Sequence, residues 1–512
     1  MKSIKKLVLV TLATLMVAST FVGCKKAEVK PETAVTGPVP VKIFANFTPA
    51  EQSAADKAWT EAIEKATNTK ITFEIPPAAN YNERLNLMLA GGDYADVILF
   101  NAPTDKVFVD SVNNNIIVPI TKYLEKAPNL MKYSYGTSWD SFKTKGDKEI
   151  YALPRTTIFR ADGFLFRQDW LDAIDFKVPA DNLITLDQFT DILTKFTKND
   201  PDKNGKADTY GWSASQDGNG NLGPIITSNF DVLGWQKTKG EKYEYMDAMY
   251  SRENPAYKKA LEYTAMLNKA GVIDPNWTSI KLDAAKARFK QGVAGAKVEF
   301  AGWIIENQTD AAKINPKAKM TYISGIKNAD GKFQAPSFGT GTWGCWGVTS
   351  GAKNPEAVVK IFDWLLGDAG WSATKYGVEG VTYKNEGGKK VATEEFEKFT
   401  WGPASVRRND DPEFFVKINM QEDYKDPVKK WIDIAMKSAI ATFDLGFRPA
   451  AADKPEFIEY GKQLDQVKAK IVTGAAPSSD WDKALEGWYK AGGEDYVKQM
   501  NEYIKKQVAA KK

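Results

Sequence analysis

The 512-residue chain contains no histidine. That absence excludes Ser-His and Cys-His nucleophilic sites, HExxH zinc sites and imidazole proton relays. Any catalysis would have to rest on carboxylates, lysine, tyrosine or an added cofactor. Cysteine is almost as scarce: Cys24 and Cys345 are the only two, so modification of Cys24 would leave no partner for an internal disulfide. A large charge excess is missing as well. The formal net charge is +4, and removing Lys2, Lys5 and Lys6 with the N-terminal leader takes 69 basic residues to 66, against 65 acidic ones. Nothing in that balance calls for a nucleic-acid partner.

What is present fits a folded protein of two or more domains, with 43% hydrophobic and 12% aromatic residues. The 15 tryptophans are more than packing alone leads one to expect, and flat indole faces suit sugar rings as well as cores.

The first 23 residues read as a secretory signal. Met1-Lys2-Ser3-Ile4-Lys5-Lys6 is basic, and Leu7 to Val22 is an apolar run too short and too early for a permanent span. The stretch "FVGC" is similar to a lipobox, with Phe21 where leucine is usual, which makes Cys24 the expected site of diacylation; the plainer reading is a secretory signal with an incidental cysteine. Residues 24–39 are polar and carry prolines, a tether that would hold a domain roughly 45 Å off a membrane. The expected location is extracytoplasmic, lipid-anchored to the bacterial cell membrane.

Beyond the tether, strands and helices alternate. Val41 to Phe47, "KITFEIPP" and Ala95 to Phe100 read as strands, with helices at Glu51 to Ala66 and "YNERLNLMLAGG" between them. Such alternation predicts an α/β fold with a parallel or mixed sheet. A second region opens on a strand-like run, Gly163 to Leu171. Its helix is announced by Thr185 and Gln188, a capping box, and by Phe189, Ile192, Leu193 and Phe196 at i, i+3, i+4 and i+7. "LDAAKARFKQG" and "PEAVVKIFDWLLG" read as helices, Ala296 to Trp303 as a strand, and the chain from Pro455 onward as helical.

The stretch "NDPDKNGKADTYGW" follows the pattern of an EF-hand loop. Asp200, Asp202, Asn204, Lys206 through its carbonyl, and Asp208 fall at ligand positions 1, 3, 5, 7 and 9, with Gly205 at the turn. Position 12 is Gly211 where a sensor carries its bidentate glutamate, a strand is expected downstream, and no second loop pairs with it. The reading is a structural calcium loop, with a metal-free Asx-rich turn as its alternative. Gly218, Gly220 and Gly223 spell GxGxxG, but loop residues precede them and Pro224 follows, which argues for a loop and against a dinucleotide site. Carboxylate pairs are too many for any two to stand out. Trp212, Trp235, Trp303, Trp343, Trp346 and Trp401 all lie where turns are expected, as a sugar-stacking cleft would need.

Taken together, "AGGDYADVI", "IYALP", "LFRQDWLDAI", "LDQFTDILTKFTKNDPDKNGKADTYG", "RFKQGVAGAKVEFAGW", "NPEAVVKIFDWLLG", "KYGVEGVTY" and "KIVTGAAPSSDWDKALEGW" resemble family 1 of the bacterial extracellular solute-binding proteins, and within it the alginate-binding branch. The resemblance implies two α/β lobes closing on ligand about a hinge. The expected lobes are 40–158 plus about 343–384, and 159–342 plus about 385–512 with a helical C-terminus. It implies an ABC-importer subunit that binds an oligosaccharide between the lobes and hands it to the transmembrane permease subunits, as a monomer and without chemistry. It also implies one structural calcium at Asp200, Asp202, Asn204, Lys206 and Asp208, with Thr209 where relatives often have an acid. Trp303 is implied as a ligand platform, with Trp343, Tyr376, Arg155 and Trp212 as further candidates. A secreted carbohydrate hydrolase or lyase, and a binder for sensing or for a non-sugar solute, are the competing expectations.

Overall fold

The computed structural model describes residues 37–145, 148–215, 223–337 and 339–510. The leader, Cys24, most of the tether, and Gly218 and Gly220 lie outside them. Nine strands build the two sheets that position the site: β1 (Val39–Phe44), β2 (Thr69–Glu74), β3 (Val97–Phe100), β4 (Leu153–Thr156), β5 (Gly163–Arg167), β6 (Tyr210–Trp212), β7 (Ala294–Glu299), β8 (Met320–Ile323) and β9 (Thr342–Val348).

The first sheet has the order β2-β1-β3-β9-β4. β1 runs parallel to β2 and β3, and β9 returns antiparallel to both β3 and β4. β3 is four apolar residues, all buried, as a strand covered on both faces requires. The helix Ala54–Thr67 lies against β2, where Trp59 stacks on Phe73, behind a capping box in which Ser53 and Asp56 exchange hydrogen bonds. Asp56 is fully buried, and its other oxygen accepts the backbone N–H groups of Thr400 (3.0 Å) and Trp401 (2.9 Å). That contact ties a late segment to the first lobe, whose core takes in Phe399, Trp401 and Val406, beyond the lobe limit expected near residue 384.

The second sheet has the order β8-β5-β7-β6. β5 shows why both its faces are covered. Phe164 and Phe166 enter one core with Phe189, Ile192, Leu193, Phe196 and Trp212, while Leu165 points to the other with Phe289, Phe300, Tyr322 and Trp431. The capping box at Thr185 and Gln188 forms as the spacing predicts, opening the helix Leu186–Lys198. Two strand expectations are shortened. The run from Gly163 stops at Arg167, whose guanidinium pairs with both oxygens of Asp169 (2.8 and 2.6 Å) and turns the chain into the helix Gln168–Ala173. The strand expected to reach Trp303 ends at Glu299, and Ala301–Trp303 is a 3-10 turn.

Only residues 157–162 separate β4 from β5, so the ends of the two sheets stand within roughly 20 Å of chain. The chain returns into β9 and crosses again after Val406, since Phe414 and Phe415 belong to a second-lobe core. Each crossing leaves or enters the first sheet at the end where β3 and β4 terminate and β9 begins. Ligands of open α/β sheets lie outside that edge.

Candidate functional site

β9 carries an irregularity at that edge. Thr342 pairs with Thr156 and Cys345 with Pro154, so three steps along β9 match two along β4. The extra residue is a bulge at Trp343–Gly344, a device that re-aims a side chain at a sheet edge. Gly344 is required there: a Cβ on it would lie 2.8 Å from the Phe100 carbonyl oxygen and 3.4 Å from the Arg155 Cδ.

Across the bulge, Arg155 of β4 holds its guanidinium carbon 3.7 Å from the Trp343 ring centroid, and Arg407 holds its own at 3.8 Å. These are stacking distances. Trp343 therefore carries cations where a bare sugar platform was expected, and its Nε1 is buried without a hydrogen-bond partner among the described residues. Arg155 Nε donates to the Ala404 carbonyl (2.7 Å), near the end of the short helix Trp401–Ser405. Burial pushes the Arg155 guanidinium down to about 9, with Tyr81 opposing. Arg407 is only 7% exposed and its Nε has no partner among the described residues. Burial, then repulsion from Arg155 and Arg160, holds its pKa well below the usual arginine range.

The cluster continues into the second lobe. Arg407 lies 5.1 and 5.0 Å from the rings of Phe414 and Phe415. Phe415 meets Phe300 edge-on at 4.7 Å and Trp303 at 6.4 Å. Trp303 is half-buried, with the ammonium of exposed Lys417 5.6 Å from its ring. Gly302 permits this approach, since a Cβ there would stand 2.9 Å from the Phe415 Cβ. Arg160, on the β4–β5 crossing, covers Phe300 at 4.2 Å and donates to Asp162 (3.0 Å) and Thr157 (3.1 Å). An unbroken series of rings and guanidinium groups thus joins Trp343 of the first sheet to Trp303, in the 3-10 turn that follows β7 of the second.

Of the sequence candidates, Arg155, Trp343 and Trp303 are brought together. Tyr376 faces elsewhere, edge-on to Tyr383 at 6.3 Å and beneath Lys390. Trp212 requires a correction as a ligand residue: it is 0% exposed and packs edge-on against Phe164 and Phe189, so it has no face for a ligand. Arg407, Arg160, Phe415 and Lys417 were not anticipated. The stretch "SVRRNDDPEFFVK", with adjacent arginines before adjacent phenylalanines, is the signal that could have shown two of them.

The loop 200–208 folds on itself. Asp200 accepts from the backbone of Asn204 (3.0 Å) and Gly205 (2.9 Å), and Asn204 Nδ2 donates to Asp202 (2.8 Å) and Asp208 (3.1 Å). Among the described residues, no three carboxylate, thiol or imidazole groups are arranged to hold a metal. The donor set nonetheless suits a hard cation. A single Asn204 amide group stands between the Asp202 and Asp208 oxygens, and turning that amide over would put oxygen there. Thr209 is buried, its hydroxyl donating to the Phe196 carbonyl (2.8 Å), so it faces the helix and not the loop interior.

Two α/β sheets joined by short crossings, with aromatic and cationic side chains gathered at the strand ends beside those crossings, define a two-lobed solute-binding protein. The chain belongs to the bacterial extracellular solute-binding protein family, whose description matches residues 46–370. The polygalacturonan/rhamnogalacturonan-binding protein YtcQ of Bacillus subtilis is 24% identical over 530 aligned residues, covering 97% of this chain and 98% of that protein. Lipoprotein LipO of the same organism is 24% identical, at 97% of each chain. Among solved structures, the alginate-binding protein AlgQ2 without calcium ion superposes with a TM-score of 0.66 at 19% identity, covering 92% of this chain and 98% of that one. The S. pneumoniae ABC-transporter substrate-binding protein FusA in complex with kestose gives 0.65 at 17% identity, covering 92% and 100%, and an EF-hand mutant of FusA matches similarly.

Proposed function

We propose that this protein is the substrate-binding subunit of an ABC importer, taking up an oligosaccharide between its lobes outside the cell membrane and delivering it intact to the permease. The observation that carries this reading is the series linking Trp343 to Trp303, with Trp303 half-buried beside the crossings. Rings from both lobes beside the crossings give a ligand something to bridge, and closure about a hinge follows from differential affinity for the closed form. The relatives' names support sugar as the ligand. YtcQ, AlgQ2 and FusA are each named as binding proteins. The working lobes are the two sheets with their cores, and the unit acts as a monomer.

Two further parts belong to the same reading. Diacylated Cys24 would hold the protein at the membrane, in keeping with the lipoprotein among its relatives. The 200–208 loop would hold one structural calcium through the oxygens of Asp200, Asp202, Asn204 and Asp208 and the Lys206 carbonyl, bracing the join between the helix Leu186–Lys198 and β6. An EF-hand in FusA supports that assignment.

Calorimetric titration of the full chain against a glycan panel, with mass analysis of the recovered ligand, tests the function. Stoichiometric binding of an unchanged oligosaccharide is expected. Turnover of the glycan would sink the proposal.

A further inference from the structure

A cavity of about 440 Å³ lies where the C-terminal helices meet the first lobe, and it shares no residue with the series from Trp343 to Trp303. Its rings come from four elements. Tyr250 ends the 3-10 turn Ala248–Tyr250, Phe457 opens the helix Pro455–Val472, Trp488 ends the helix Ser479–Trp488, and Tyr496 belongs to the helix Glu494–Ala510. Tyr250 lies flat on Trp488, with centroids 4.6 Å and planes 8° apart, and Phe457 stacks on Tyr496 at 5.1 Å. The Tyr489 hydroxyl donates to the Tyr250 carbonyl (2.6 Å) and holds the turn in place. Thr104, just ahead of the helix Lys106–Asn113, brings the first lobe onto the same wall.

The charge around these rings is negative. Asp444 and Asp465 line the cavity, and Asp247 caps the turn that carries Tyr250. Asp465 pairs with Lys468 (3.2 Å), and Arg448, the cation on the wall, pairs with Asp453 (2.9 Å). Asp444 accepts from the Thr442 hydroxyl and Asp247 from the Met249 N–H (2.9 Å), and among the described residues neither forms an ion pair. Both act on a ring of the cavity: burial first, then Asp444 and Asp247, pushes the Tyr496 hydroxyl up. Two carboxylates without counter-ions thus stand beside a ring-lined space, where poor solvation makes an unpaired charge costly.

We infer that this cavity binds an organic ammonium group, with the faces of Tyr250, Phe457, Trp488 and Tyr496 packed around its carbon-bearing nitrogen and Asp444 and Asp247 supplying the opposite charge. The inference goes beyond the oligosaccharide reading and does not rest on it. Ring faces attract cations most strongly when water is excluded, and an alkylated nitrogen sheds its water more readily than a small inorganic ion. A neutral ligand of the same shape would fill the space and leave both carboxylates uncompensated. The volume falls within the roughly 300–1,000 Å³ of small-molecule sites. Because Thr104 shares the wall with the C-terminal helices, the bound group would touch both lobes.

The ammonium can belong to a free small molecule or to an amine-bearing sugar, and titration calorimetry of the full chain tells them apart. One arm compares choline with its neutral isostere, in which carbon replaces the charged nitrogen; the other compares glucosamine oligomers with their N-acetylated forms. At least one cation is expected to bind about tenfold or more tighter than its neutral counterpart, and the arm in which this happens identifies the source. Asp444→Asn and Asp247→Asn, which keep an oxygen for Thr442 and for the Met249 N–H, should each reduce that preference by about tenfold, and Phe457→Leu should weaken cation binding a few fold. Asp444→Asn should leave the affinity for neutral oligosaccharides unchanged. Equal binding of cation and isostere in both arms, or cation binding untouched by all three substitutions, would overturn the assignment. Loss of neutral-oligosaccharide binding in Asp444→Asn would overturn it too, by making the cavity part of the sugar site. Failure of the chain to bind any neutral glycan while a cation binds would leave this site standing and count against the importer reading alone.

Discussion

A Cβ built on Gly211 would lie 2.6 Å from the Cβ of Leu193 and 2.7 Å from its Cα and carbonyl oxygen. The strand leaving the 200–208 loop therefore runs directly against the helix that enters it, closed by the Gly211 N–H donating to Thr197 Oγ1 (3.0 Å). This explains why the twelfth loop position carries no glutamate: the place where that side chain would start is already filled by backbone. Gly211→Glu should cost about 3 kcal/mol or more of stability, read by thermal melting, and should not tighten calcium binding. A variant as stable as wild type would show the approach to be looser than described.

Calcium itself should act on stability. With free calcium about 100-fold above its dissociation constant, binding to the folded state adds about 2.7 kcal/mol. Chelation is expected to lower the melting temperature by several degrees, and Asp202→Ala to do the same without chelator. Curves unmoved by either treatment would remove the metal from the loop.

Trp303 and Trp212 separate recognition from packing. Trp303→Ala should lose about 1–3 kcal/mol of ligand affinity, the range for bases stacked on aromatic rings, with little change in melting. Trp212→Ala should cost about 3–5 kcal/mol of stability and leave the affinity of the folded fraction as it was. Titration and melting of both variants check the pair, and the reverse pattern would exchange their roles.

Asp247 gives the pH dependence a sign. Burial pushes its carboxyl up from the ordinary value to about 6, with the Met249 N–H opposing and Asp444 adding to the rise. The folded state then binds this proton more tightly than the unfolded chain, so its contribution is present at low pH and is lost as pH rises from about 4 through about 6. Asp247→Asn, which keeps an oxygen for the Met249 N–H, should be more stable than wild type at pH 7 by at most about 3 kcal/mol, and the two should converge near pH 4. Denaturant unfolding across that range measures the difference; parallel profiles would exclude Asp247 as their source.

Much of the architecture was legible in the chain because its signals are local. The capping box at Thr185 and Gln188, the 3.6-residue spacing of Phe189, Ile192, Leu193 and Phe196, and the apolar run Val97 to Phe100 each depend on neighbours within a turn or a few residues. The loop at 200–208 is legible for the same reason, since its oxygen atoms alternate along one short stretch. The absence of histidine narrowed the chemistry without any structure at all.

The site was only half legible, and the reason is sequence separation. Trp303 and Trp343 stood out as tryptophans at segment ends, as did Trp212, and nothing local distinguishes the one that fills a core from those beside the crossings. Arg155 and Arg407 lie 252 positions apart by their numbers and meet on Trp343 only because β9 returns between β3 and β4, a bulge turns the indole, and Asp56 draws the late segment back onto the first lobe. Composition and local pattern by themselves determined an α/β chain, an Asx-rich loop at 200–208 and a chemistry without imidazole. Which rings are buried, and which cations are left without a partner, was decided by tertiary structure, because burial and pairing depend on residues that the chain brings together from afar.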